Sequence, residues 1–198
     1  SAYLSTVQIR SSDTILDLHA RSGERAVWVS RSRCAKVVCV DEDERYCEET
    51  RFRARDGGSA ALVDVRHGNY LDLPFADGAF SLIIAEWAAT RTGFEKGLRA
   101  WRRLVPPSGY IAVSYPGVIN RDAPQEVRGP LERRMVEPMK TLGEYHRVVK
   151  EAGLEIVHQA PLPHSVWENF YADAVRRAWT ISGTNDQRII TTPFAVPG

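Results

Sequence analysis

The chain has 198 residues, of which 43% are hydrophobic and 26% charged, and it carries a net charge of +1. This composition is typical of a globular protein, and the length predicts one domain over residues 1–198, with no electrostatic reason to expect nucleic acid or an anionic membrane as a partner. No apolar run approaches the ~20 residues of a membrane span. The three cysteines lack the spacing of a zinc site, and no secretory leader pattern is present. These observations favour a cytoplasmic protein with reduced cysteines and no metal site.

Short apolar runs alternate with amphipathic segments along the chain. The runs predict six strands, at residues 14–18, 36–40, 60–65, 80–85, 109–115 and 154–158. Helices are predicted at residues 22–31 and 42–55, and then over a segment whose apolar residues recur at helical spacing, namely Phe94, Leu98, Trp101 and Leu104. A further helix begins at a capping box of Thr141 and Glu144 and ends at Gly153.

Two segments depart from this alternation. Residues 116–138 contain four prolines and no clear period, which predicts an irregular cap after the fifth strand. Residues 163–198 are predicted to form a C-terminal helix, over 166–179, and a tail in which 188–192 is a seventh strand or a loose end. The aromatic residues of that helix, Trp167, Phe170 and Tyr171, are either core residues or one wall of a substrate pocket.

The alternation of strands and helices predicts an α/β fold, a doubly wound and mostly parallel sheet with helices on both faces. Ligands of such sheets bind at the carboxyl ends of the strands. Four residues stand at those ends. Asp17 either binds a ligand or caps the loop after the first strand, and Asp41 closes the second strand. Glu86 is a base, a substrate ligand or a solvent-facing cap after the fourth strand, and Tyr115 can line a pocket after the fifth.

Four segments, taken in order, resemble the class I S-adenosylmethionine (SAM) methyltransferases. Residues 15–23 read ILDLHARSG, a strand, an acid and a loop opening into a helix. Residues 67–81, HGNYLDLPFADGAFS, are similar to the family's GDAxxLPFxDxxFD stretch, and residues 101–109, WRRLVPPSG, to its RVLKPGG stretch. Residues 145–154 resemble its closing helix and strand. The resemblance spans residues 13–160 and implies a Rossmann-like fold, SAM as cofactor and methyl transfer to a small molecule.

Within this resemblance the glycine-rich loop is degenerate, because His19 and Arg21 stand at the first two glycine positions and only Gly23 remains. Glycine permits close backbone approach and positive φ, so the two side chains are expected to weaken SAM binding. His19 is a filler of the pocket, a contact to another ligand or a catalytic base. Arg21 either pairs with Asp17 or Asp41, or binds an anion at the helix N-terminus.

The resemblance also implies that Asp41 holds the ribose hydroxyls, unless it merely starts the next helix, and that Asn69 accepts a hydrogen bond from the adenine amino group. The predicted cofactor-binding residues are Asp17, His19, Arg21, Gly23, Asp41, Asn69, Tyr70 and Glu86. The catalytic candidates are Glu86, Tyr115 and His19.

Three hypotheses about function follow from these candidates. The first is a SAM-dependent methyltransferase with a small-molecule acceptor. The alternative is a methyltransferase-like protein that has lost SAM binding and serves as a partner subunit or scaffold, through a protein partner or as a homo-oligomer. A reshaped loop that binds another ligand stays open as well.

Overall fold

The computed structural model of the protein describes residues 7–118, 129 and 132–161. Its named strands and helices are, in chain order, β1 (Thr14–Leu18), α1 (Glu24–Arg33), β2 (Lys36–Asp41), α2 (Glu44–Asp56), β3 (Val63–His67), β4 (Leu82–Glu86), α3 (Ala88–Thr92), α4 (Phe94–Arg102), β5 (Tyr110–Ser114) and α5 (Leu142–Glu151). The chain divides into two units, residues 1–158 and 159–198, and all of these elements lie in the first.

The five strands form one sheet in the order β3-β2-β1-β4-β5, and each neighbouring pair is parallel. The predicted doubly wound α/β fold is therefore confirmed. The order reverses at β1, which has β2 on one side and β4 on the other. Such a reversal opens a crevice beyond the carboxyl ends of the strands, and it places the ends of β1, β2 and β4 around that crevice.

Alternation along the central strands divides the core between the two faces of the sheet. Ile15 belongs to a cluster packed against α1 and α2, whereas Leu16 and Leu18 belong to a larger cluster packed against α4 and α5. All three side chains are fully buried. Burial on both faces explains why β1 reads as a nearly continuous apolar run, as expected for a central parallel strand.

The predicted helix after the cap is confirmed in detail. The capping box of Thr141 and Glu144 is present, with the Thr141 amide donating to the Glu144 carboxylate at 2.8 Å. At the other end Gly153 has φ +71° and its amide donates to Lys150, while the Leu154 amide donates to Val149. This pair of bonds is a Schellman motif, which satisfies the last carbonyls of the helix.

The predicted sixth strand at 154–158 is wrong. These residues form no strand, and Ile156 and Val157 are exposed. The C-terminal helix at 166–179 and the run at 188–192 lie outside the described residues, as does most of the predicted cap, residues 119–128, 130 and 131. Within the part of the chain that the structure describes, no helix is long and apolar enough to cross a membrane. In the same residues, no group of three or more His, Cys, Asp or Glu side chains could hold a metal ion.

Candidate active site

The loop after β1 keeps the backbone of a glycine loop although its first two glycine positions hold His19 and Arg21. His19 has φ +62° and Arg21 has φ +51°, values in the left-handed region that favours glycine. A non-glycine residue pays about 1–2 kcal/mol for this conformation. Gly23, with φ +73°, is required for a second reason, because a Cβ there would lie 2.6 Å from the Thr50 methyl carbon of α2. The predicted role of Gly23 in cofactor binding is untested, and the structure shows its role in packing.

Asp41, at the end of β2, is buried, and its carboxylate organises the loop. Oδ2 accepts a hydrogen bond from the Arg21 amide at 3.1 Å, and Oδ1 accepts one from the Asp43 amide at 3.0 Å. The Tyr70 hydroxyl also donates to Oδ1, at 3.2 Å. Since a carboxylate offers about four lone-pair positions, these three bonds leave little acceptor capacity unused.

His19 contacts the same tyrosine. Its Nδ1 lies 3.0 Å from the Tyr70 hydroxyl oxygen. Because that hydroxyl donates its hydrogen to Asp41, it accepts from Nδ1, so the His19 hydrogen is on Nδ1 and Nε2 keeps a lone pair. Burial lowers the pKa of His19 below its ordinary value of 6.5, and the attraction of Asp41 opposes this only in part. His19 is therefore neutral at physiological pH.

Arg25, in the first turn of α1, joins the acids at the ends of β1 and β4. Its Nη2 donates to Asp17 Oδ1 at 2.5 Å and its Nε to Oδ2 at 3.2 Å, a bidentate pair. Its Nη1 is paired with Glu86. The Asp17 side chain is 1% exposed, compared with 18% for Arg25 and 29% for Glu86. Burial raises the pKa of Asp17, and Arg25 counteracts that rise.

The predicted ion pair between Arg21 and Asp17 or Asp41 is wrong. The Arg21 guanidinium lies over the Tyr46 ring, 5.4 Å from its centroid, and Nη2 is 3.4 Å from the Tyr46 hydroxyl. Of the groups of Arg21, its backbone amide is the one that bonds to Asp41. The Arg21 side chain therefore lies against α2.

A third group of side chains follows β5. The Tyr115 hydroxyl donates to Glu137 Oε1 at 3.1 Å, and its ring packs 5.2 Å from the rings of Phe94 and Tyr145. Glu137 also accepts from the Phe94 amide at 2.8 Å and from Lys140 at 3.0 Å. Burial alone would raise the pKa of Glu137, but these hydrogen bonds outweigh it and hold the pKa below its usual value.

Comparison with known proteins identifies the arrangement. Residues 16–113 match the family model described as a methyltransferase domain. The chain therefore contains a class I methyltransferase domain.

Related proteins agree with this assignment. The chain is 25% identical over 150 residues to a glycine/sarcosine/dimethylglycine N-methyltransferase of Actinopolyspora halophila, covering 75% of the chain and 26% of that protein. It is 26% identical over 162 residues to a sarcosine/dimethylglycine N-methyltransferase of Halorhodospira halochloris, covering 78% and 58%. The chain thus spans about a quarter to just over half the length of these curated relatives.

Solved structures share the fold. A protein described as a sarcosine dimethylglycine methyltransferase of Galdieria sulphuraria superimposes with a TM-score of 0.74 at 21% identity, over 89% of this chain and 68% of that one. A SAM-dependent methyltransferase of Thiobacillus denitrificans, solved with S-adenosylhomocysteine (SAH), superimposes with a TM-score of 0.73 at 17% identity, over 94% and 76%.

The methyltransferase domain brings five of the eight predicted cofactor residues to the crevice with their side chains. Of the other three, Arg21 contributes only its backbone amide, Gly23 packs against Thr50, and Asn69 lies apart. Asp17, Glu86, His19, Asp41 and Tyr70 surround the crevice through the bonds described above. Asn69 is exposed, and its side-chain oxygen accepts from the Leu71 amide at 2.7 Å. This local turn uses the atom that was expected to meet adenine, and the adenine contact stays a prediction.

Sequence reasoning missed Arg25 and Glu137. Arg25 follows Asp17 by eight residues and lies one residue into α1, so a helix that starts beside the strand ends can return a long side chain to the acid. That spacing was the signal available for Arg25. Glu137 carried no such signal, because its partners Phe94 and Tyr115 are 43 and 22 residues away along the chain.

The charged and polar side chains of the site are of the kinds that can bind SAM. Carboxylates at the ends of β1, β2 and β4 match ribose hydroxyls, an ammonium and a sulfonium, and the guanidinium of Arg25 matches a carboxylate. The fit has a cost, since Tyr70 and Arg25 already bond to these carboxylates and His19 bonds to the Tyr70 hydroxyl. Binding would have to exchange internal bonds for bonds to the cofactor.

Proposed function

We propose that this chain is the catalytic core of a SAM-dependent methyltransferase that acts on a small molecule, with an amine of the glycine type as the acceptor. The observation that carries the proposal is the set of acids Asp17, Asp41 and Glu86, placed at three adjacent strand ends beside a loop with a glycine-type backbone. The relatives named for glycine, sarcosine and dimethylglycine support the choice of acceptor.

SAM supplies a methyl group already activated by the sulfonium, so the protein mainly has to orient an acceptor in line with it. An amine acceptor must lose a proton before its nitrogen lone pair can attack. Of the three catalytic candidates, His19 is the one suited to accept that proton, because it is neutral and its Nε2 holds a lone pair.

The other two candidates are better suited to binding. Burial raises the pKa of Tyr115 well above its usual value, which keeps its hydroxyl protonated as a donor. Glu86 forms an ion pair with Arg25, and Glu86 would position the acceptor or the cofactor.

A binding experiment tests the proposal directly. Calorimetric titration of the purified chain with SAM and with SAH should show saturable binding, and a methylation assay with glycine, sarcosine and dimethylglycine should identify the acceptor. If neither compound binds, the alternative of a partner subunit or scaffold without SAM is favoured. The observation behind that alternative is that Tyr70 and Arg25 already bond to the carboxylates of the site, and that His19 bonds to the Tyr70 hydroxyl.

Replacing Asp41 by Asn should weaken SAH binding by about 1–3 kcal/mol, because the ribose hydroxyls would lose a charged acceptor. Calorimetry on the variant measures the loss, and the unfolding temperature reports any damage to the loop. The matched control is Asp64→Asn, an exposed acid of the neighbouring strand β3 that pairs with Arg66. Equal SAH affinity in the Asp41 variant and the native protein would remove Asp41 from the site.

Replacing His19 by Gly should raise cofactor affinity roughly tenfold, the equivalent of about one hydrogen bond. The imidazole would no longer lie against the Tyr70 hydroxyl, and glycine relieves the positive φ at that position. Arg21→Gly relieves a similar strain but should leave affinity nearly unchanged, because its guanidinium lies at Tyr46. Calorimetry on both single variants separates the two residues, and a gain confined to Arg21→Gly would contradict the assignment.

A further inference from the structure

A positive charge is built into the site between the acids at the ends of β1 and β4. Arg25 bonds to both oxygens of Asp17 and pairs with Glu86, so its guanidinium lies where β1 and β4 end. The three side chains belong to α1, β1 and β4, and are 18%, 1% and 29% exposed. Partial burial of this kind reduces solvent screening, so a charge here acts more strongly than one at the surface.

We propose that Arg25 determines the charge preference of the cofactor pocket, lowering affinity for cationic SAM relative to the product SAH. This inference rests on the proposed function. SAM and SAH share the ribose, the adenine, the ammonium and the carboxylate, and they differ in the methyl group and in the positive charge on sulfur. A guanidinium beside Asp17 and Glu86 offsets the negative charge that would otherwise favour the sulfonium.

The consequence for the reaction is retention of product. SAM must displace bound SAH before the next turnover. Because Arg25 weakens SAM binding relative to SAH binding, this displacement is less favourable than it would be in a pocket lined by acids without a cation. Arg25 is thus a specificity-determining residue: it can still bond to the carboxylate that both compounds carry, and that contribution cancels in the ratio of their affinities.

The test compares the dissociation constants of SAM and SAH, measured by calorimetry at pH 8, for the native protein, Arg25→Gln and Arg25→Lys. Arg25→Gln should shift the ratio about tenfold toward SAM, the order expected for one unit charge in a partly solvated site. Arg25→Lys should keep the native ratio. Arg31→Gln, an exposed arginine of the same helix, is the matched control and should also keep it.

A second pair of variants covers the case in which Asp17 takes up a proton or the chain fails to fold once Arg25 is lost. In an Asp17→Asn background the buried acid is absent, and of the two acids that pair with Arg25 only Glu86 remains. Adding Arg25→Gln to that background should again shift the ratio about tenfold toward SAM.

An unchanged ratio in both pairs, with binding intact, would overturn the role of Arg25 and leave the proposed function standing. A shift caused equally by Arg31→Gln would overturn it too, because the effect would then be one of net charge. Absence of binding of SAM and SAH by every protein, native included, would overturn the proposed function, and this inference with it.

Discussion

Arg25→Gln is expected to lower the free energy of unfolding by about 3 kcal/mol at pH 7. The substitution leaves Asp17 buried without its bidentate partner, and breaking a buried ion pair on one side costs about 3–5 kcal/mol. Because Arg25 itself is 18% exposed, water can replace part of the lost bonding, so the lower end of the range applies. Urea unfolding of the variant and the native protein measures the difference.

The pH dependence of this loss has a definite sign. Burial raises the folded-state pKa of Asp17 above the unfolded value of 3.8, and Arg25 opposes the rise, so the variant's folded pKa is higher still. Stability of the variant therefore falls as pH rises from the unfolded value through the folded one. Below about pH 3.8 the carboxyl is protonated in both states and the difference from native should nearly vanish.

Two controls accompany the measurement. Arg25→Lys keeps the charge and should lose less than half as much stability, and Arg31→Gln should change stability by less than about 0.5 kcal/mol. A loss of equal size at pH 4 and pH 7 would show that Arg25 acts through packing and not through the charge of Asp17.

Much of the fold could be predicted because buried parallel strands have a local signature. The run of residues 36–40 is apolar on both faces and corresponds to β2, which begins at Lys36 and ends at Asp41. The run at 154–158 also contains three apolar residues, Leu154, Ile156 and Val157, yet it forms no strand. Hydropathy records how apolar a segment is but not whether a neighbouring strand offers it a ladder of hydrogen bonds.

The site was harder to predict than the fold for a related reason. The acids Asp17, Asp41 and Glu86 could be located because strand ends meet at one edge of the sheet. Their partners could not, since Arg21 and Arg25 are only four residues apart and equally basic. Which of the two contacts the acids depends on the backbone of the loop and on the position along helix α1. The Arg21 guanidinium lies over the Tyr46 ring, whereas the Arg25 guanidinium bonds to Asp17.

Trp101→Ala is expected to have the largest effect of any single substitution considered, a loss of about 3–5 kcal/mol in the free energy of unfolding. The side chain is fully buried in the cluster against α4 and α5. Its Nε1 also donates to the Tyr70 carbonyl at 2.8 Å, so the indole fixes the backbone of the residue that bonds to Asp41 and His19.

The indole therefore links the core to the pocket, and two further variants separate these roles. Trp101→Phe keeps most of the volume but leaves the Tyr70 carbonyl without its donor, which should cost about 1–3 kcal/mol. It should also weaken SAH binding through displacement of Tyr70. Trp28→Ala is the matched control: that tryptophan is 51% exposed on α1 and should cost less than about 1 kcal/mol. Equal losses for Trp101→Ala and Trp28→Ala would contradict the placement of Trp101 in the core. Unchanged SAH affinity in Trp101→Phe would show that Tyr70 is held in place by its hydroxyl bonds alone.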